Sequence, residues 1–571
     1  MTQGEDYANL PGMALEQARR FGERPALWAK RDGAWRSVSW AEMADRIRAL
    51  AAGLTGLGLQ PGDRVVLLSE NRPEWAIADL AIMAAGGVSV PVYTTNTAAD
   101  HHHILTDSQA RFAIVSGPAL AERLLNAVWT NKVPVQVIAM EPLQLTQAND
   151  PAPMTWADAV ALGADVRDQA ARRLTATGPD DLACIVYTSG TGGAPKGVML
   201  THGNILSNCA AGAILLDEIS DGDDVFLSFL PLSHAYEHTV GMMLPLRMGA
   251  QIYYAETLEQ LAADMAEVRP TVMTAVPRLY ETIRAKTLRQ ISRDGGLKAW
   301  LFHKAVELGR LRALGHRLGI FPRLFNRILD VAVRRKVQAR FGGRLKALVS
   351  GGAPLNFDVG LYFAALGIRI MQGYGQTEAS PCISCSPPLK VKLDTVGPPM
   401  NGVEVRIAED GEILVKGPNV MKGYWNDDAA TGRVLPDGVW LHTGDIGEQD
   451  ADGYIRITDR KRDIIVVSGG DTISPQRLEG LLTLEPEIAQ AMVVGDGKAH
   501  LAALIVAEAN RESQVAEAIE RVNKSLSSIE KIRKHAILSQ PFTIDNGMLT
   551  PTMKIRRHAI KAAYAGLIDG L

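Results

Sequence analysis

The chain has 571 residues, 47% of them hydrophobic and 22% charged, and a formal net charge of -3. That length exceeds what one hydrophobic core supports, since single cores seldom grow past about 250–300 residues. The composition excludes an intrinsically disordered chain, and the near-neutral balance argues against a nucleic-acid partner. The four cysteines, Cys184, Cys209, Cys382 and Cys385, are too few for a disulfide framework and fit a reducing cytoplasm. Cys382 and Cys385 form a lone C-x-x-C with no further ligands at zinc spacing, so they are expected to be two partly buried thiols.

The first residues lack the basic-then-apolar pattern of a signal peptide. The most apolar early stretch, 76–93, is broken by Asp79, Gly86-Gly87 and Pro91, and is not expected to span a bilayer. A soluble or at most peripheral protein follows from these features. Apolar residues at Met43, Ile47, Leu50 and Leu54 predict a helix over 40–57. Residues 64–69 read as a short strand, and Pro73 opens a helix to about Ala85. Further strands are expected at 88–93 and 112–115. Strands separated by helices of this length predict a parallel sheet covered on both faces. His101, His102 and His103 are consecutive and cannot all face one ligand, so a helix-start or surface placement is expected rather than a metal site.

Residues 182–187 form an apolar strand running into Thr188, Ser189, Gly190, Thr191, Gly192, Gly193, Ala194, Pro195, Lys196 and Gly197. Small residues let backbone N–H groups close on phosphate oxygens, while hydroxyls and a lysine add donors and positive charge. The spacing is not that of the G-x-x-x-x-G-K-[ST] loop, because no Ser or Thr follows a Gly-Lys pair.

Between Lys298 and Lys346, thirteen basic residues face two acids, Glu307 and Asp330, and alternate with large apolar side chains. This segment, 298–346, reads either as a solvated helical hairpin or as an interfacial pair docking on anionic lipid at the inner membrane face. From about 395 to 460 the pattern becomes β-rich. Strands 404–407 and 412–416 flank the turn signal Asp410-Gly411, and strands 439–442 and 454–457 flank Asp452-Gly453. Beyond the boundary at 460–462 the chain is mixed again. Strands are expected at 464–467, 491–494 and 501–506, and helices at 475–482 and 512–524. The stretch 461–571 is long enough for an independent domain.

The glycine-rich loop resembles the signature of the adenylate-forming enzymes (acyl- and aryl-CoA synthetases, peptide-synthetase adenylation domains and firefly luciferase), with Gly192 where a second threonine is usual. The other blocks follow in that family's order. Ser350-Gly351-Gly352-Ala353-Pro354 is similar to the segment lining the adenine and acyl pocket. Gln372-Gly373-Tyr374-Gly375-Gln376-Thr377-Glu378 is similar to the core motif. Thr443-Gly444-Asp445, Asp459-Arg460-Lys461-Arg462-Asp463, Ser468-Gly469-Gly470 and Leu549–Arg557 complete the set. The resemblance covers nearly the whole chain. Ser69–Trp75, Phe229–His238 and Val276–Glu281 resemble its long-chain fatty acyl-CoA synthetase branch.

The resemblance implies an α/β fold in two parts. A large domain, 1–460, would hold ATP and the acyl group in stacked α/β subdomains with a β-rich part at 395–460. A small mobile α+β domain, 461–571, would carry the catalytic lysine. It implies activation of a fatty acid as acyl-AMP, then transfer to coenzyme A, with ATP, Mg2+ and CoA as partners and a homodimer as the family's habit. Tyr374 would stack on adenine, Thr377 hold the α-phosphate, and Glu378 ligate magnesium, as suits a hard carboxylate. Thr188, Ser189, Gly190, Thr191 and Lys196 would hold the phosphates. Asp445 and Arg460 would contact the ribose, Arg462 would be the hinge, and Ser468, Gly469 and Gly470 would border the pantetheine channel. Lys554 would be the catalytic lysine. His234 falls where the family places a residue between acyl pocket and CoA channel; on its own it reads as a buried, hydrogen-bonded histidine. The same motifs fit an aryl-CoA ligase, an acyl-AMP ligase feeding a carrier protein, or a catalytically decayed lipid-binding protein of this fold.

Overall fold

The structure, a computed structural model, describes residues 6–130, 134–143, 152–188, 195–461, 463–468, 471–550 and 555–571. Two eight-stranded sheets dominate it. In the first, the order is Cys382–Cys385, Ile370–Gly375, Ala347–Ser350, Val272–Ala275, Val225–Ser228, Gln251–Tyr254, Pro25–Arg31, Ala34–Ser39. In the second it is Gly423–Tyr424, Lys196–Thr201, Leu182–Thr188, Val88–Pro91, Arg64–Leu68, Phe112–Val115, Gln136–Ala139, Met154–Thr155. The central strands of each run parallel, and antiparallel strands close the edges that carry Cys382–Cys385, Ala34–Ser39 and Gly423–Tyr424.

Buried strands with both faces covered need apolar side chains on both faces, which explains the continuous apolar runs. Val65 and Leu67 join a core between the two sheets, whereas Val66 and Leu68 join one on the far side. Phe226 and Val272 point to the central core, Leu227 and Met273 to the other flank. The helix Pro73–Ala84 lies in that central layer with every residue except Glu74 buried, so its apolar circumference is explained by packing between sheets. Among the described residues no helix is long and apolar enough to cross a membrane.

A four-stranded antiparallel sheet, Glu404–Ile407, Glu412–Lys416, Leu441–Gln449 and Ile455–Arg460, forms its own core around Ile413, Val415, Leu441 and Ile455. The hairpin at Asp410-Gly411 has the expected strands. The next strand starts later than the sequence suggests, at Leu441. Asp437 accepts hydrogen bonds from the backbone of Val439 and Trp440 at 2.9 Å each, and this local turn takes those N–H groups from the ladder. After residue 464 two further cores form around a mixed three-stranded sheet, Ile488–Val494, Leu501–Ala507 and Ile532–Ile537. The helix expected at 475–482 is found there as Pro475–Leu482, and that expected at 512–524 begins as a tight turn before Val515–Asn523.

Two expectations about unusual residues are resolved by packing. Cys382 is half-buried and Cys385 buried, and burial pushes the Cys382 thiol up to about 12. The histidine run lies in the first turns of the helix Ala98–Ser108, capped by Thr97 and Asp100. It is not a surface run, however: His101 is buried, and burial lowers it to about 4, so it is neutral at physiological pH. Among the described residues no cluster of three or more His, Cys, Asp or Glu could hold a metal.

Candidate active site

The glycine-rich segment joins the antiparallel strands Leu182–Thr188 and Lys196–Thr201, whose Thr188 and Lys196 are paired across the ladder. Ser189, Gly190, Thr191, Gly192, Gly193 and Ala194 lie outside the described residues, but both stems of their hairpin are defined. The base is braced from a distant helix. Tyr187 donates to the Asp107 carboxylate at 2.6 Å, and Trp425 and Asn426 donate to the Asp107 carbonyl at 3.0 and 3.1 Å. His103 Nε2 meets the Pro195 carbonyl at 3.0 Å, which requires the proton on that nitrogen.

The edge strand Gly423–Tyr424 pairs with Lys196–Thr201 and carries the site from one sheet to the other. Lys196 Nζ sits 5.0 Å from the centroid of the Tyr424 ring and 3.5 Å from the Asp427 carboxylate. The Tyr424 hydroxyl donates to Glu378 Oε1 at 2.8 Å. Glu378 follows the strand Ile370–Gly375 of the first sheet, and its carbonyl accepts from Met421 N at 2.9 Å. Thr377 and Glu378 are both half-buried. Thus the lysine of one motif and the glutamate of another, on different sheets, share one tyrosine.

Four residues before Glu378, the buried Tyr374 hydroxyl donates to Asp445 Oδ2 at 2.7 Å. Arg460 Nε lies 3.3 Å from Asp445 Oδ1, because Asp445 and Arg460 face each other across neighbouring strands. Burial and the adjacent carboxylate hold the Tyr374 phenol far above its usual value, so it stays a donor. Gly375 has no room for a side chain, since a Cβ there would lie 1.9 Å from the Pro381 carbonyl oxygen. Gly373 packs beside the neighbouring strand, and Gln372 is buried with its amide donating to Leu393 O at 2.6 Å.

Gly351, Gly352 and Ala353 leave the C-terminal end of the parallel strand Ala347–Ser350, the usual place for a ligand loop in such sheets. Gly351 is buried under the Tyr236 ring, which a Cβ would approach to 3.0 Å, while Gly352 and Ala353 are exposed. Tyr236 is held by its hydroxyl bond to Val349 O at 2.8 Å. His234, two residues earlier, is half-buried and its Nδ1 accepts from Tyr236 N at 3.1 Å. The following π-helical turn, Glu237–Met243, buries Glu237, whose carboxylate accepts from Ser228 and Thr274 at 2.6 Å each. Burial raises that carboxyl to about 7 despite the two hydroxyl donors.

Lys554, Arg462, Gly469 and Gly470 lie outside the described residues. Their surroundings are defined: Leu549 and Ile555 bridge across the lysine segment. Arg557 binds Glu479 through two contacts of 2.6 Å, and Glu479 also accepts from Val493 N at 2.7 Å. Arg557 Nε lies 3.9 Å from Asp463, the residue after Arg462. Ser468 is exposed, with its N–H bonded to Lys498 O at 2.9 Å.

Tyr424, Asp427, Asp107 and His103 were not marked by the motifs. His103 stood out only as part of the histidine run and the other three lie in ordinary-looking stretches; pairing between segments far apart in the chain brings all four to the loop. Residues 15–425 match the family model of AMP-binding enzymes, and residues 462–571 match that of the AMP-binding enzyme C-terminal domain. The chain belongs to the AMP-binding enzyme family. Within it the chain falls in the long-chain-fatty-acid–CoA ligase branch. It is 35% identical to the long-chain-fatty-acid–CoA ligase FadD15 of Mycobacterium bovis, over 100% of this chain and 98% of that one. It is 31% identical to long-chain-fatty-acid–CoA ligase 1 of Cavia porcellus, over 95% of this chain and 83% of that one. The fold matches a benzoate CoA ligase from Burkholderia xenovorans with a TM-score of 0.73 at 24% identity, covering 97% of this chain and 100% of that one. It also matches O-succinylbenzoate CoA synthetase from Bacillus subtilis in complex with AMP, with a TM-score of 0.70 at 22% identity, covering 97% and 98%.

Proposed function

We propose that this AMP-binding enzyme is an acid–thiol ligase that activates a long-chain fatty acid with ATP and passes the acyl group to coenzyme A. One observation carries the residue assignments: Lys196, Tyr424 and Glu378 form a contiguous polar set, and Tyr374, four residues before Glu378, joins Asp445 and Arg460, so strand ends of the two large sheets and the four-stranded sheet meet there. A carboxylate has acceptor positions for both hydroxyls of a ribose, and a guanidinium beside it adds donors at the same spot. Asp445 and Arg460 therefore take the ribose, Tyr374 packs on the base, and Lys196 with the loop from Thr188 takes the phosphates.

In the first half-reaction a carboxylate oxygen of the acid attacks the α-phosphorus and pyrophosphate leaves. Charge accumulates on phosphate oxygens, so fixed donors lower the barrier most. Lys196 and Thr377 supply such donors from the large domain, and Lys554 supplies an ammonium from the small one. The single half-buried carboxylate of Glu378 suits Mg2+, which takes few protein ligands and keeps its waters. Bound there, the metal would neutralise charge on the nucleotide phosphates. In the second half-reaction the small domain turns about Arg462, the CoA sulfur attacks the acyl carbonyl, and AMP leaves. The resemblance assigns His234 and the Gly351–Ala353 segment to the acyl path, and Ser468, Gly469 and Gly470 to the border of the thiol's path.

The test is ATP–pyrophosphate exchange across carboxylic acids from short to long chain, with Lys554→Ala assayed alongside. Exchange should require a long-chain acid and fall about 100-fold or more in the variant. Thioester formation from supplied acyl-AMP should persist. Absence of exchange with every acid refutes the activity, and equal losses in both assays refute the role of Lys554.

A further inference from the structure

The basic segment is built as a fixed platform. Helix Gly296–Ala313 packs on the large domain through Phe302, Ala305 and Gly309. Helix Ile320–Leu329 lies outside it, burying Asn326 and Leu329 and packing the half-buried Phe325 against the core and Trp300. Arg334, itself buried, rivets the pair down by donating to the carbonyls of Ala305 and Ala365 at 2.6 and 2.7 Å. The outward face of the second helix is apolar: Ile320 is 84% exposed, Phe321 86%, Leu324 61% and Ile328 56%. At 100° per residue, positions 320, 324 and 328 make one stripe, with 321 beside it, while Arg323 and Arg327 fall along one border. Scattered exposed leucines are ordinary, but four large apolar side chains in one stripe on an anchored helix mark a surface that binds something.

Charge identifies what it binds. Lys298, Lys304, Arg310, Arg334, Arg344 and Lys346 are each paired with an acid. Arg312, Arg317, Arg323, Arg327, Arg335 and Lys336 are exposed and have no acidic partner among the described residues. An apolar stripe bordered by unpaired guanidinium groups is complementary to acyl chains beneath anionic headgroups. A second copy is a poor occupant, because a two-fold interface would set the same unpaired cations against each other.

We propose that the helix Ile320–Leu329 docks this enzyme on an anionic lipid surface, with Ile320, Phe321, Leu324 and Ile328 entering the acyl boundary and Arg317, Arg323 and Arg327 meeting the headgroups. The proposal rests on this surface alone and needs no turnover. The experiment is flotation of the full chain with vesicles of phosphatidylcholine alone or with about one-third phosphatidylglycerol, at low and high salt. Two variants are compared, Phe321→Ser/Leu324→Ser/Ile328→Ser and Arg317→Gln/Arg323→Gln/Arg327→Gln. All six side chains are exposed, so both variants should keep the wild-type unfolding midpoint and exchange activity. Wild type should float with the anionic vesicles, more weakly at high salt, and each variant should lose at least tenfold in affinity. The idea is overturned if wild type stays with the soluble fraction, or if both variants float as wild type does. It is overturned equally if the serine variant only abolishes self-association seen by light scattering, which would make the stripe a contact between copies.

Discussion

Raising the pH should weaken the large domain through one carboxyl, Glu237. Its folded value lies near 7 because burial disfavours the charged form, against 4.5 for the free group. A folded value above the unfolded one gives a stabilising contribution that is complete below about 4.5 and lost as the pH rises through about 7. At 1.36 kcal/mol per unit the full contribution is about 3 kcal/mol, most of which disappears between pH 5 and pH 8. Other groups titrate in the same range, so the measurement is a difference between wild type and Glu237→Gln, whose amide resembles the protonated acid in shape. Urea unfolding at pH 5, 6.5 and 8 can be followed by tryptophan fluorescence, because the last of the nine tryptophans is Trp440 and the signal reports only the large domain. Wild type should lose about 2–3 kcal/mol relative to the variant across that range. A difference that stays constant, or that moves in favour of wild type as pH rises, would refute the reasoning. Gly241 belongs to the same device: a Cβ there would lie 2.3 Å from the Glu237 carboxyl carbon, so the π-helical turn can hold this acid only opposite a glycine.

Gly375→Ala places a methyl against the Pro381 carbonyl oxygen and should cost about 1–3 kcal/mol while displacing Tyr374 and Glu378 on either side. Calorimetric titration with AMP should show weakened binding, and an unchanged unfolding midpoint with normal binding would contradict the crowding. Glu479→Ala leaves the Arg557 guanidinium largely buried without its two carboxylate contacts, a change worth about 3–5 kcal/mol. Its effect should be confined to residues 465–571. Hydrogen exchange should accelerate there while the tryptophan unfolding curve stays in place, and uniform loosening of both parts would oppose this.

The amino-acid sequence alone determined the local pieces. The helices at Trp40–Gly56 and Pro475–Leu482, the strand Leu182–Thr188 and the hairpin over Asp410-Gly411 follow from periodicity, an opening proline and turn chemistry, all of which act over a few residues. The loop over 188–197 stood out for the same reason: dense glycine and hydroxyl residues beside a lysine are unusual in any context. Tertiary structure alone decided which pieces meet. Nothing near Tyr424 marks it as the group joining Lys196 to Glu378, nor Asp107 as the brace of Tyr187 and Trp425, because strand pairing places them together across the chain. His101 carries the same lesson: its neighbours in sequence are polar, yet helix packing takes it out of water and removes its charge. The basic segment could be read two ways from composition, since a pattern of charges and leucines does not say which face is covered. The anchoring of Arg334 and the outward turn of Phe321 show which face is covered and leave the choice of partner to the vesicle experiment, because burial is a property of the assembled fold and not of any short stretch of chain.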